Sequence, residues 1–274
     1  ISMAAREIMA SVGVGQKYCN EIIGKAQTIG NNLGLPQPAL YDTLEGLEEE
    51  VEEDTGVAVK FPIDQKGADI LLITPSADFF AEPHVAGFIG YAKVFHEAGI
   101  SWTVSSHASE AANFGMFIGS YENMRKVALR IREAAIELKV KRIVIGECGH
   151  AWRVAYSFLN TLAGPFDFLD QNYPVPQHII EVTHGLIQEG KLTFDKSAND
   201  HPIYGMPVLL KDNTNAEGMP TTAGTHFLRN NNARDAFIVE RMKENGAIIL
   251  GKTNLSEWAN FLFLRGPNGF SAVG

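Results

Sequence analysis

Residues 69 to 75 read DILLITP, and the fold is decided there. Ile70, Leu71, Leu72 and Ile73 are apolar without alternation, β-branched at both ends, and closed off by Pro75. So short a run predicts a strand. Because both of its faces are apolar, both must be covered, as happens in a parallel sheet with helices above and below. The flanking text repeats the theme. A helix is predicted over residues 85 to 98, stopped by Gly99, and a strand over 101 to 105. A helix over 121 to 138 carries Arg125, Lys126, Arg130 and Arg132 on its wet side, before a strand over 142 to 146 and a helix over 151 to 163. Alternation of this kind predicts an α/β fold across residues 1 to 200, a parallel sheet with flanking helices and right-handed crossovers.

Upstream, Ile8, Val12, Ile22, Ile23 and Ala26 fall at helical spacing, predicting one helix over residues 2 to 29 with a stop in Gly30 to Gly34. Eight acidic residues between Asp42 and Asp54 occur without a single Lys or Arg, the mark of a solvated helix face or a linker. Downstream, a helix is expected over residues 175 to 190, a strand over 206 to 211 (MPVLLK), a helix over 235 to 245 and a strand over 247 to 250.

Composition narrows the function. With 274 residues, 45% hydrophobic and 20% charged, the chain falls outside the disordered and fibrous classes. No apolar run approaches the roughly 18 residues of a membrane span, so no direct membrane insertion is expected, and Arg6 and Glu7 do not suit a signal peptide. Of the net charge of −9, residues 201 to 274 hold 7 basic and 6 acidic residues, leaving the deficit in residues 1 to 200. A nucleic-acid partner is not expected, for want of a basic footprint. Two cysteines, Cys19 and Cys148, are too few for a disulfide framework and predict a reducing, cytoplasmic setting. Starting at Ile1 and stopping at Gly274, the text reads as a piece of something longer.

In open parallel sheets ligands sit at the carboxyl ends of the strands. Three polar phrases occupy that position: Pro75-Ser76-Ala77-Asp78, Ser105-Ser106-His107 and Glu147-Cys148-Gly149-His150. Cys148 stands before a helix whose N-terminal dipole favours thiolate, so it is a candidate reactive thiol or metal ligand, against the plainer reading of a small strand-end residue. Cys19, within the first helix, reads as structural. Lys211, at the end of an apolar strand, is a candidate general base if its surroundings desolvate the ammonium.

Other motifs dissolve on inspection. GAIILGKT, residues 246 to 253, matches the phosphate-loop pattern, but the intervening residues are themselves a predicted strand, so no loop can form. Ser271 lacks the strand-turn-helix setting of a nucleophile elbow. Glu181 and His184 have di-iron spacing without partner carboxylates, which leaves a solvent-facing or capping role. Gly13 and Gly15 follow no strand and make no dinucleotide fingerprint.

Two resemblances account for the two textures. The phrases YGMPVLLKDN (204 to 213), GMPTTAG (218 to 224) and NGAIILGKTNLSEW (245 to 258) resemble the amidase signature family. That resemblance implies that Lys211 is the general base of a Ser–cis-Ser–Lys triad whose two serines fall beyond the phrase PNGFSAVG, after Gly274. Residues 1 to 200 are similar to the heterodisulfide reductase catalytic subunit group, including the K subunit of the Dsr complex. The phrases are the N-terminal helix, LLITPSADFF, VIGECGHAWR and VPQHIIEVTHGLIQEGKL. This second likeness implies an iron–sulfur electron-transfer subunit of dissimilatory sulfur metabolism. Such a subunit acts on disulfide-type substrates and docks on a membrane-anchored redox subunit. Its parent would carry [4Fe-4S] clusters, and Cys148 is the one residue here in position to be a ligand.

The expected organisation is a helical segment and acidic linker over residues 1 to 60, an α/β module over 61 to 200, and a truncated, incomplete α/β amidase-signature segment over 201 to 274, joined near residues 197 to 201. No cofactor is expected to be bound, because four thiolates are needed and one is placed. Neither parent's chemistry is expected from this chain alone. Two alternatives stand beside this reading: an amidase of which only the lysine-bearing segment is present, and a non-catalytic α/β module or chimeric artefact. Phe261, Leu262, Phe263, Leu264 and Phe270 are expected to be poorly packed.

Overall fold

The structure is a computed structural model, and it describes residues 2–15, 17–75, 78–80, 84–146, 148–193 and 201–256. The chain forms two compact units, Ile1–Thr193 and Phe194–Gly274. Phe261, Leu262, Phe263, Leu264, Phe270, Ser271 and the expected joint at residues 197 to 200 lie outside the described residues, as do Ser76, Ala77 and Glu147.

In the larger unit, β1 (Ile70–Ile73), β2 (Trp102–Thr103), β3 (Arg142–Ile145) and β4 (Gln177–His178) form a parallel sheet in the order β2-β1-β3-β4. Register runs Ile70 to Arg142 and Ile73 to Ile145 between β1 and β3. All four β1 side chains are buried, and they alternate between two helical layers. Ile70, Leu72 and Val144 face α3 (Gln37–Thr55), α4 (His84–Glu97) and α8 (Ile179–Gln188), through Leu44, Phe88 and Val182 among others. Leu71, Ile73 and Ile143 face α6 (Tyr121–Leu138) and α7 (Gly149–Ala163), through Ala128, Ile131 and Ala155. Each helix is therefore held by one apolar stripe, and the doubly covered strand explains the unbroken DILLIT text.

Three expectations about local structure are corrected. The predicted helix over residues 2 to 29 is two helices, α1 (Ser2–Ser11) and α2 (Lys17–Thr28), separated where Gly13 takes a φ of 77°. The acidic stretch is no linker: it lies in α3, whose Leu40, Leu44, Leu47 and Val51 recur every three or four residues and are buried, leaving the carboxylates on the wet face. Residues 175 to 190 contain the short β4 before α8, because Gln177 and His178 pair with Val144 and Ile145. The helix start is fixed by a capping box in which the His178 N–H donates to Glu181 Oε2 at 2.7 Å, which gives Glu181 its capping role.

The smaller unit has β5 (Pro207–Lys211) parallel to β6 (Ile248–Thr253), joined through α9 (Phe237–Glu244). Leu210, Ala216 and Val239 make its buried centre. The other side of the two-stranded sheet stays open, with Leu209 and Leu250 exposed. The phosphate-loop letters fall within β6 and the turn before it, so extended backbone occupies the place of the loop.

Candidate functional site

Since β1, β2 and β3 are parallel, their carboxyl ends lie along one edge. From β1 the chain leaves to α4 on one face of the sheet, and from β3 to α7 on the other, so the two exits diverge at Thr74 and Gly146. Divergence of this kind opens a crevice in doubly wound sheets. The loop after β2 lines the same edge: the Thr74 N–H donates to Ser109 O at 3.1 Å, and Ser109 donates to Gly30 O. Gly30 is held there by contact as well as by its φ of 104°, because a Cβ would stand 2.3 Å from Ser106 O.

An acid pair is buried in this edge. Asp78 and Glu110 are 0% and 2% exposed. Asp78 is packed against the end of β3, where a Cβ on Gly146 would lie 2.8 Å from Asp78 Oδ2. Glu110 precedes α5 (Asn113–Phe117), and the Asn32 backbone N–H faces its carboxylate. Burial first, and the charge of Asp78 second, push the Glu110 carboxyl well above the usual carboxylate range, against a smaller opposing effect of the Asn32 backbone N–H. The oxygens Thr74 Oγ1, Asn32 Oδ1 and Asn113 Oδ1 are buried nearby in sequence and fold, without partners.

The predicted polar phrases are thus only partly assembled. His107 Nε2 meets Glu133 Oε2 at 3.0 Å near the surface, and Ser106 bonds the Asp64 carboxylate. Arg130 ties the His107 carbonyl to α2, donating to His107 O at 2.8 Å and Gln27 O at 2.7 Å. Cys148 is the N-cap of α7, its Sγ accepting from the Ala151 N–H at 3.4 Å. Cys19 is buried on α2 with Ile23 and Ile118, and burial pushes its thiol pKa up. Two thiols on separate elements do not fit a four-thiolate cluster. Among the described residues no group of three or more His, Cys, Asp or Glu side chains is arranged to hold a metal.

In the smaller unit Lys211 is exposed at the end of β5, so the desolvation expected of it is absent. The buried ammonium is instead that of Lys252. Its Nζ donates to Pro220 O at 2.9 Å and to Thr221 Oγ1, and lies 3.6 Å from Asp212 Oδ1. Asp212 accepts in turn from the Thr222 N–H at 3.1 Å and from the Thr222 hydroxyl. Sequence reading passed over Lys252, Asp212 and Glu110. For Lys252 the signal was there: a lysine inside an otherwise apolar strand.

A family model described as Amidase matches residues 188–267. Over 225 residues, 71% of this chain, the sequence is 34% identical to the Hdr-like menaquinol oxidoreductase iron-sulfur subunit 2 of Archaeoglobus fulgidus. The chain spans 40% of that relative's length. Over 74 residues, 26% of the chain and 14% of the relative, it is 49% identical to a probable amidase of Arabidopsis thaliana. A solved structure, native peptide amidase from Stenotrophomonas maltophilia, is 42% identical over 35% of this chain and 18% of that one, at a TM-score of 0.26. Two segments with separate relatives therefore share this chain: the larger part is similar to iron–sulfur subunits of Hdr-like oxidoreductases, and a smaller segment to amidases. No helix among the described residues is long and apolar enough to cross a membrane.

Proposed function

We propose that the larger unit works as the electron-transfer subunit module of a heterodisulfide-reductase-type oxidoreductase acting on disulfide-type substrates in dissimilatory sulfur metabolism. It docks from the cytoplasmic side on a membrane-anchored redox subunit. The observation that supports this reading is the similarity over 225 residues to a subunit of an Hdr-like menaquinol oxidoreductase. Iron–sulfur clusters supply the electron relay in such subunits. In this chain the role of the residues is to present a surface and an ordered sheet edge, and Cys148 is the single position from which a thiolate reaches that edge. Four thiolates being needed per cluster, we expect the chain to hold none on its own. The test is co-expression with the membrane-anchored subunit of such a complex: co-elution in detergent supports the assignment, and separate elution at micromolar concentration contradicts it.

A second reading concerns residues 201 onward, favoured by the amidase match and by the anchoring of the loop at residues 218 to 224 beside Lys211. Here Lys211 is the general base of amide hydrolysis, acting through one serine to activate another. The exposed ammonium suits an edge completed by the serine-bearing part of such a fold. Grafting residues 201 to 256 onto the remainder of an amidase tests it: hydrolysis lost on Lys211→Ala supports the role, and hydrolysis retained contradicts it.

A further inference from the structure

We propose that a cavity at the amino end of β3, lined by Arg142, Gln177 and α8, binds a small zwitterionic α-amino acid. Arg142 takes its carboxylate, and Gln177 and Glu181 take its ammonium.

Arg142 opens β3 and alternates with Ile143, so it lies on the same face as Val144, the face that α8 covers. Gln177 of β4 pairs with Val144. The two side chains line one cavity of about 160 Å3 with Val182 and Leu186 of α8 as apolar wall. Tyr173 carries the Arg142 guanidinium over its ring, 4.8 Å from the centroid, and among the described residues the guanidinium N–H groups donate to no acceptor. Gln177 Oε1 is buried without a hydrogen-bond partner. Glu181 lines the cavity too, and since its Oε2 accepts from the His178 N–H, Oε1 is left over. Gly185 supplies the room: it lines the cavity from inside α8, and a Cβ there would meet nothing within 4 Å. Glycine inside a helix costs about 1 kcal/mol against alanine, and here the space of the missing side chain belongs to the cavity.

Spare donors and spare acceptors in one cavity call for a ligand with an acidic and a basic end. A guanidinium is a fork that matches a carboxylate, and holding it flat on a tyrosine ring pre-organises that fork. A carboxamide oxygen and a carboxylate oxygen accept from an ammonium. Charge argues against a bare anion. Around the cavity Arg142 and Lys191 are matched by Glu181 and Glu189, and Lys191 Nζ is already engaged by Glu189 Oε2 at 2.8 Å. An anion would meet two carboxylates there, whereas a zwitterion adds no net charge and meets each sign with its opposite. Size sets the side chain. Drug-sized ligands occupy clefts of about 300 to 1,000 Å3, so this smaller cavity suits an amino acid with little or no side chain.

The test uses the full 274-residue chain, labelled with 15N and titrated with glycine and with L-alanine to about 20 mM, enough to saturate a site of millimolar affinity. The expected result is a saturable shift of the Gln177 side-chain amide and the Gly185 backbone amide with at least one of the two. Acetate and propionate lack the ammonium, methylamine and ethylamine lack the carboxylate, and each should bind at least about tenfold more weakly than the matching amino acid. Arg142→Gln should weaken binding at least about tenfold. Gly185→Leu fills the cavity where a Cβ meets no neighbour, so it should keep or raise the Tm and still weaken binding at least about tenfold, read at the Gln177 side-chain amide. That second variant decides the matter even if Arg142→Gln fails to fold. Absence of a saturable shift with both amino acids overturns the proposal. So does binding that survives Gly185→Leu, which would place the ligand elsewhere. Acetate or propionate binding as tightly as glycine or alanine overturns the zwitterion and leaves a plain carboxylate site.

Discussion

Lys252 Nζ lies 3.6 Å from Asp212 Oδ1, with both side chains about nine-tenths buried at the side of the two-stranded sheet. Around the pair, Pro220, Thr221 and Thr222 supply further hydrogen bonds and bind the loop at residues 218 to 224 to the end of β5. Removing one member of a buried pair strands the charge of the other. Lys252→Met should therefore destabilise the smaller unit by about 3 kcal/mol and speed amide exchange in β5 and β6 by about 100-fold. Unchanged exchange would mean that solvent already screens the pair.

Glu110 gives a pH dependence of definite sign. Burial and Asp78 raise its pKa in the folded chain, while the unfolded chain keeps the ordinary value of about 4.3. Between those two pKa values the folded state binds more protons. Stability that is full below the unfolded value is therefore lost as pH rises towards the folded one, by up to about 1.4 kcal/mol per pH unit. Glu110→Gln should flatten this decline, so that the variant is the more stable protein at pH 8. Parallel Tm curves for wild type and variant from pH 4 to 8 would contradict the assignment.

Leu44, 2% exposed, ties α3 to the sheet. Leu44→Ala should cost about 2 to 4 kcal/mol, read from the urea midpoint. No change would mean that the acidic stretch is a tether after all.

Cys148 serves α7 as its cap. A hydroxyl does that work and a methyl does not, so Cys148→Ser should be more stable than Cys148→Ala by about 1 kcal/mol in urea titration. Equal midpoints would show that the sulfur contributes nothing as an acceptor.

The layered fold was legible because β1 is apolar without alternation and α6 carries its arginines on one side, two patterns set by burial alone. The break at Gly13 was harder to see, since Ile8, Val12, Ile22 and Ile23 stay in helical phase across it. Asp42 to Asp54 was read by its charges, while the leucine spacing that makes α3 was hidden among them. At the sheet edge, Asp78 stood in the expected phrase. Glu110 did not, because it reaches the edge from the loop after β2, and no local spacing encodes that return. For Lys211 the apolar strand suggested burial, but burial depends on covering elements that residues 201 to 256 do not supply.

The central claim is that the larger unit carries the sheet of an electron-transfer subunit without ligating a cluster by its own residues. Anaerobic reconstitution of the 274-residue chain with iron and sulfide, followed by gel filtration and iron analysis, tests this most directly. Two cysteines on separate elements predict a colourless protein with less than about one iron per chain. A brown, EPR-active protein retaining about four irons, lost on Cys148→Ser, would contradict it.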